Sequence, residues 1–215
     1  MTLCQITNNE ITELTEYRLS ALGIKEHDTL RPLFVKNIDI IDENLMVLSE
    51  EFSSWIDSKC RIDILAMDTN LNLVVIEIKR YGSEKNMDLQ AMRYASMVAT
   101  MTFDEAVEAH QRYLNKKNIE LDAEENIRQS LSLYNLIITS DNFNKKVRMI
   151  LIAENFTKEV TTTVSWLNEH EFDIKCVEIS GHITDKKETI LSLQRIYPKP
   201  DESEWRVSLL LKKRL

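Results

Sequence analysis

Apolar and polar residues alternate along this chain with two periods, and the changes of period mark its elements. Residues 60–67 repeat every two positions: Ile62, Ile64 and Ala66 point one way, Arg61, Asp63 and Leu65 the other, as on a strand. Residues 73–80 are nearly all apolar and β-branched, which predicts a strand covered on both faces, with Val75, Glu77 and Lys79 sharing one of them. Between the two, Asp68-Thr69-Asn70-Leu71-Asn72 has the composition of a turn. A hairpin pairing Asp68 with Asn72 around a loop at 69–71 sets Asp63 opposite Glu77.

The helical period appears elsewhere. Ile11, Leu14, Leu19 and Leu22 predict a helix over 9–22 stopped by Gly23, and Leu30, Leu33 and Phe34 a second over 29–37. Residues 45–52 read as the first strand. A helix over 86–101 carries Gln90 and Tyr94 four apart on one face. Met87 and Met97 extend that stripe, and Leu89, Met92, Ala95 and Ala99 add apolar contacts. Residues 103–133 are polar and helical, broken near Asn118, and are expected as an insertion on the core. Residues 147–153 form a continuous apolar strand, expected to be central. Phe156, Val160, Val164 and Leu167 mark an amphipathic helix, and 172–179 another strand, so this stretch predicts a parallel crossover. An edge strand over 189–197 ends at Pro198 and Pro200.

The hairpin carries the candidate chemistry. Two carboxylates and an ammonium on a covered strand face are costly unless they have a task. Cross-strand neighbours have Cβ atoms about 4.5–5.5 Å apart, so Asp63 and Glu77 can share one small cation. Hard oxygen ligands of this kind suit Mg²⁺ or Mn²⁺. An exposed ladder pairing Asp63 with Lys79 is the plainer reading. It fits poorly with so apolar a strand and with three such groups on one face.

With Asp63, Glu77-Ile78-Lys79 and Gln90-x-x-x-Tyr94, the chain resembles the PD-(D/E)xK nuclease superfamily. The spacing is similar to the branch that includes the C-terminal domain of NucS-type endonucleases and the RecB-type nucleases with a Gln-x-x-x-Tyr motif. The resemblance spans roughly residues 25–180 and takes in Glu50-Glu51-Phe52, the stretch 149–156 and Trp166-Leu167-Asn168. It takes in Glu26 as a looser match, where the family has an acid on its first helix. The family's proline before the first acid is Ile62 here. The resemblance implies a restriction-endonuclease-like α/β fold: a mixed central sheet flanked by helices, within a single domain over 1–215. It implies a nuclease acting on DNA and leaving a 5′-phosphate. Asp63, Glu77 and the Ile78 carbonyl would hold the metal, with Lys79 acting on the attacking water or the developing charge. Gln90 and Tyr94 would position the carboxylates or the nucleotide, with Glu26 and Glu51 as further candidates.

Composition narrows the rest. Only three glycines are present, so no phosphate-cradling glycine loop can form, and no G-x-S-x-G elbow occurs. The four histidines lack metal-ligand spacing. Three widely spaced cysteines, Cys4, Cys60 and Cys176, read as reduced thiols, and neither a secretory start nor a membrane-length apolar run is visible. A cytoplasmic protein is expected. The net charge of −8 runs against a simple nucleic-acid binder. Half of it lies in 104–125, where seven acids face three bases. Among the basic clusters, Arg80 and Arg93 are expected to contact phosphate because they flank the site. Lys145-Lys146 with Arg148, and Lys212-Lys213-Arg214, read as solvated faces. The acidity also suggests self-association, with Val107, Tyr113 and Leu114 as the candidate face of a homodimer. A nuclease fold serving as a DNA-binding or assembly module, with weak or no cleavage, is the alternative, and RNA is the alternative substrate.

Overall fold

In the computed structural model, which describes residues 2–53, 55, 59–83 and 85–197, the alternating segments join in a seven-stranded mixed sheet. The strands of the sheet are β3 (Glu16–Tyr17), β4 (Leu45–Phe52), β5 (Ile62–Asp68), β6 (Leu73–Lys79), β7 (Arg148–Ala153), β8 (Asp173–Ile183) and β9 (Thr189–Tyr197). The helices are α1 (Arg31–Lys36), α2 (Met87–Val98), α3 (Phe103–Lys116), α4 (Ala123–Ser130) and α5 (Lys158–Glu169). β4, β5 and β6 form an antiparallel meander. β6, β7 and β8 run parallel, and parallel neighbours need long crossovers. The segment carrying α2, α3 and α4 makes the first and α5 the second. β9 closes the sheet antiparallel to β8, and β3 pairs with residues 181–182 of β8.

The β5–β6 register is the predicted one. Ile64 pairs with Ile76 and Met67 with Leu73, and one step further sets Asp63 opposite Glu77. The Asp68 N–H donates to the Asn72 carbonyl at 3.0 Å, closing the turn. Side chains of period two then divide between two cores. Leu65, Met67, Val75, Met149 and Leu151 pack under Met87, Ala91, Val98 and Val164. Ile64, Ala66, Val74, Ile76, Ile78 and Ile150 pack under Leu19, Leu30 and Phe34. Each fully buried Leu, Ile or Val contributes about 1.5–3 kcal/mol, so the central strands are the most stable part of the molecule.

Three expectations are corrected. The helix over 9–22 does not form. A hairpin of β1 (Cys4–Thr7) and β2 (Glu10–Glu13) stands there, with Ile6 opposite Ile11, both largely exposed. Asn8 and Asn9 take φ of 51° and 66°, the pair of positive values that a tight two-residue turn requires and that asparagine tolerates. Leu89 faces solvent, since α2 turns its other side to the sheet. Arg148 is no solvated cation either. It lies under the sheet end with Nη1 2.8 Å from Asp68, Nη2 2.8 Å from Asp42 and Nε 3.3 Å from Asp173. Lys175 adds a 2.8 Å bond to Asp42. Burial works to raise the Asp42 pKa, but the bonds from Lys175 and Arg148 outweigh it and bring it to about 2. The cluster Lys212-Lys213-Arg214 lies outside the described residues.

Residues 103–133 supply α3 and α4, whose Ala106, Ala109 and Ile127 belong to the larger core. Leu114 is buried, Val107 packs against that core, and Tyr113 stacks on His110. The three residues therefore do not make an outward apolar stripe.

Because Arg148 ties three acids from separate elements, Arg148→Ala leaves several carboxylates without their partner. The expected loss is about 3–5 kcal/mol in urea unfolding. Lys145→Ala, on the exposed surface next door, is expected to stay within about 0.5 kcal/mol.

Candidate active site

The covered face of the β5–β6 hairpin ends in three polar side chains. Glu77 is fully buried and Asp63 is 5% exposed. Asp63 Oδ2 accepts the Ile78 N–H at 2.9 Å, which ties the acid of one strand to the backbone of the next. Lys79 Nζ lies 2.6 Å from Glu77 Oε1, as two residues of one strand face should.

α2 brings the second pair. Gln90 and Tyr94, one helical turn apart, both face this hairpin. Gln90 Nε2 donates to Glu77 Oε1 at 2.5 Å and to the Tyr94 hydroxyl oxygen at 2.9 Å. The other Glu77 oxygen, Oε2, is buried and has no hydrogen-bond partner among the described residues. A buried charged oxygen without a partner is expensive and rare.

Glu26 joins from the opposite side of the sheet. It sits in a wide helical turn (Glu26–Leu30) that leads directly into α1. Its Oε2 accepts the Arg80 N–H at 3.2 Å, and its Oε1 lies 3.9 Å from Lys79 Nζ and 3.3 Å from His27 Nε2. Three carboxylates thus surround one ammonium.

The electrostatics follow from burial and charge. Desolvation, reinforced by the Asp63 charge, pushes the Glu77 carboxyl up to about 8. Burial also raises the Asp63 pKa, against the bond from Ile78 and the charge of Lys79. Burial alone would lower the Lys79 pKa; the carboxylates of Glu77, Asp63 and Glu26 more than offset it, and the ammonium is held above its ordinary range. Desolvation raises the Tyr94 hydroxyl as well.

A cation fits this donor set. Glu77 Oε2 lacks a partner, Asp63 faces Glu77 across the hairpin, and both are hard oxygen donors. Among the described residues, no three His, Cys, Asp or Glu side chains gather as a ready-made metal cluster. The remaining ligands would have to come from backbone carbonyls such as that of Ile78, and from water.

The site opens into a cleft of about 550 Å³. Besides the predicted groups it is lined by His27, Lys59 and Arg61. Arg80 and Arg93 are exposed beside the cleft and take no part in its lining. Arg61 was legible: two positions before Asp63 on an alternating strand, it shares that face. Lys59 and His27 carry no such signal, because they reach the cleft from a loop and from the turn before α1. Glu51 stands beside the site, with Oε1 3.1 Å from Arg31 Nη1 and 3.0 Å from Arg61 Nη1.

No family model matches this chain, and no curated protein does. Among solved structures, it is similar to EndoMS in a complex with double-stranded DNA, at 20% identity and a TM-score of 0.37. It is also similar to a repair endonuclease from Pyrococcus abyssi, at 18% identity and a TM-score of 0.34. Each match covers 68% of this chain, and 42% and 44% of those chains, so the protein spans less than half the length of either. Among the described residues, no helix is long and apolar enough to cross a membrane.

Proposed function

We propose that this protein is a nuclease that hydrolyses phosphodiester bonds with the help of Mg²⁺ or Mn²⁺. The observation that carries the proposal is the fully buried Glu77, with one oxygen unpartnered, facing Asp63 across the hairpin and Lys79 along its own strand. DNA as the substrate rests on the motif Asp63, Glu77-Ile78-Lys79, Gln90-x-x-x-Tyr94.

Asp63, Glu77 and the Ile78 carbonyl would hold the cation, whose chemistry is to acidify a water and to neutralise charge on the phosphate. The protein's own residues do the rest. Gln90, itself bonded to Tyr94, holds Glu77 Oε1 and leaves Oε2 without a partner among the described residues. Lys79 remains protonated at neutral pH because carboxylates surround it. Its ammonium can donate to an oxygen on which negative charge develops. Glu26 limits where that ammonium can point, through a separation of 3.9 Å.

The test is cleavage of end-labelled single-stranded, duplex and branched DNA in Mg²⁺, in Mn²⁺ and in chelator. Wild type is expected to cut only with metal. Lys79→Arg is expected to lose about 10²-fold or more, because a planar guanidinium cannot replace a compact ammonium among three carboxylates. Cleavage that persists in chelator, or no cleavage of any strand in either metal, overturns the proposal.

A further inference from the structure

We infer that Arg61 grips the phosphate backbone of the substrate beside the bond to be cut. This deepens the nuclease reading, on which it rests, by naming a cationic contact within the cleft itself, which Arg80 and Arg93 do not line. Arg61 lines the cleft two residues before Asp63, and its side chain is half exposed there.

Its anchor explains why it can hold an anion. Glu51 Oε1 meets two guanidinium groups, Arg31 at 3.1 Å and Arg61 at 3.0 Å. One carboxylate against two guanidinium groups leaves a positive charge uncompensated. Arg31 cannot present it, for it is buried and also donates to His27 Nδ1 at 3.0 Å. The surplus therefore faces outward at Arg61, whose planar fork keeps donors in the geometry that a phosphate accepts in pairs. Glu51 reaches both partners from a left-handed backbone, φ 52°, inside β4. A non-glycine residue there is strained, and such strain collects where geometry serves a site.

The charge pattern of the cleft identifies the ligand class. Its floor is acidic, with Asp63 and Glu77 against Lys79, and Glu26 lies behind that ammonium. Its rim is basic, with Arg61 and the exposed Lys59. An anion that extends from the floor to the rim, with one phosphate at the carboxylates and the next at Arg61, satisfies both. A polynucleotide has that form, and an isolated phosphate does not.

Fluorescence anisotropy in chelator separates the outcomes, since it reads binding without cleavage. Labelled duplex and single-stranded DNA are titrated over a salt series with wild type, Arg61→Ala, Arg61→Lys, Arg80→Ala and Arg93→Ala. On duplex, Arg61→Ala is expected to make the slope of log K against log salt shallower by about 0.9, and on single strands by about 0.7, the value of one lost phosphate contact. Arg61→Lys should keep the slope, and Arg80→Ala and Arg93→Ala should match wild type. Wild-type slope and affinity in Arg61→Ala overturn the inference alone. Failure of wild type to bind any strand at low salt overturns the nuclease reading with it. Displacement of the strand by inorganic phosphate beyond its ionic strength, in wild type but not in Arg61→Ala, supports the inference, because phosphate can compete there only with a strand that Arg61 holds by its phosphate.

Discussion

Alanine in place of Asp63, Glu77 or Lys79 is expected to abolish cleavage, and the double variants to be little worse than the single ones. This is the largest effect expected of any change in the molecule, on the order of 10³–10⁶ in rate. The reason is that the three groups share one small volume: Asp63 is tied to the Ile78 N–H, and Glu77 is bonded to both Lys79 and Gln90. Removing one removes the geometry that gives the others their use, so their effects do not add. Circular dichroism should report an intact fold for Asp63→Ala, because the main cores lie along the sheet behind the site. Wild-type cleavage by a clean preparation of Asp63→Ala would place the chemistry somewhere else.

The second large effect is on stability, and its sign depends on pH. Glu77 has its pKa raised to about 8 in the folded protein against about 4.5 ordinarily. Between those two values the folded state holds a proton that the unfolded state has released. Stability of the metal-free protein is therefore fullest below pH 4.5 on this account and is lost as the pH rises through 8. Glu77→Gln removes the titrating group and should flatten that slope, which denaturant unfolding in chelator at pH 6 and pH 9 will read. A cation takes the ionised form, so metal should bind more tightly as the pH rises over the same window. At about 100 times its dissociation constant, metal should add roughly 2.7 kcal/mol to the folded state. Asp63→Asn should melt higher than wild type in chelator, because one of two repelling carboxylates is gone, and should not respond to Mg²⁺ or Mn²⁺. An equal metal response in the two proteins would mean that the cation binds elsewhere, the acidic stretch 104–125 being the first place to look.

The sequence by itself determined the central strands, the hairpin and its register, and therefore the floor of the candidate site. The reason is local. A strand has a period of two, and a slip of one residue would drive Glu77 and Lys79 into the apolar core under Leu30 and Phe34 and put Ile76 and Ile78 in the site in their place. The turn at Asp68-Thr69-Asn70-Leu71-Asn72 and the helical spacing of Gln90 and Tyr94 are likewise short-range, and the sequence displays all three. The N-terminal hairpin was misread because Ile11, Leu14, Leu19 and Leu22 happen to keep a helical spacing, while the backbone follows the left-handed pair Asn8-Asn9.

Tertiary structure decided everything that depends on which distant segments meet. Arg148 looks like Lys145 and Lys146 in sequence, but Asp42, Asp68 and Asp173 converge on it from three other elements. Glu26 comes to 3.9 Å from Lys79, which lies 53 positions further along the chain. Arg80 and Arg93, adjacent to the motif along the chain, turn to solvent, while Lys59 and His27 line the cleft. Charged side chains are long and their partners are chosen by Coulomb attraction across whatever the fold brings near, so their roles carry no period that a sequence can display.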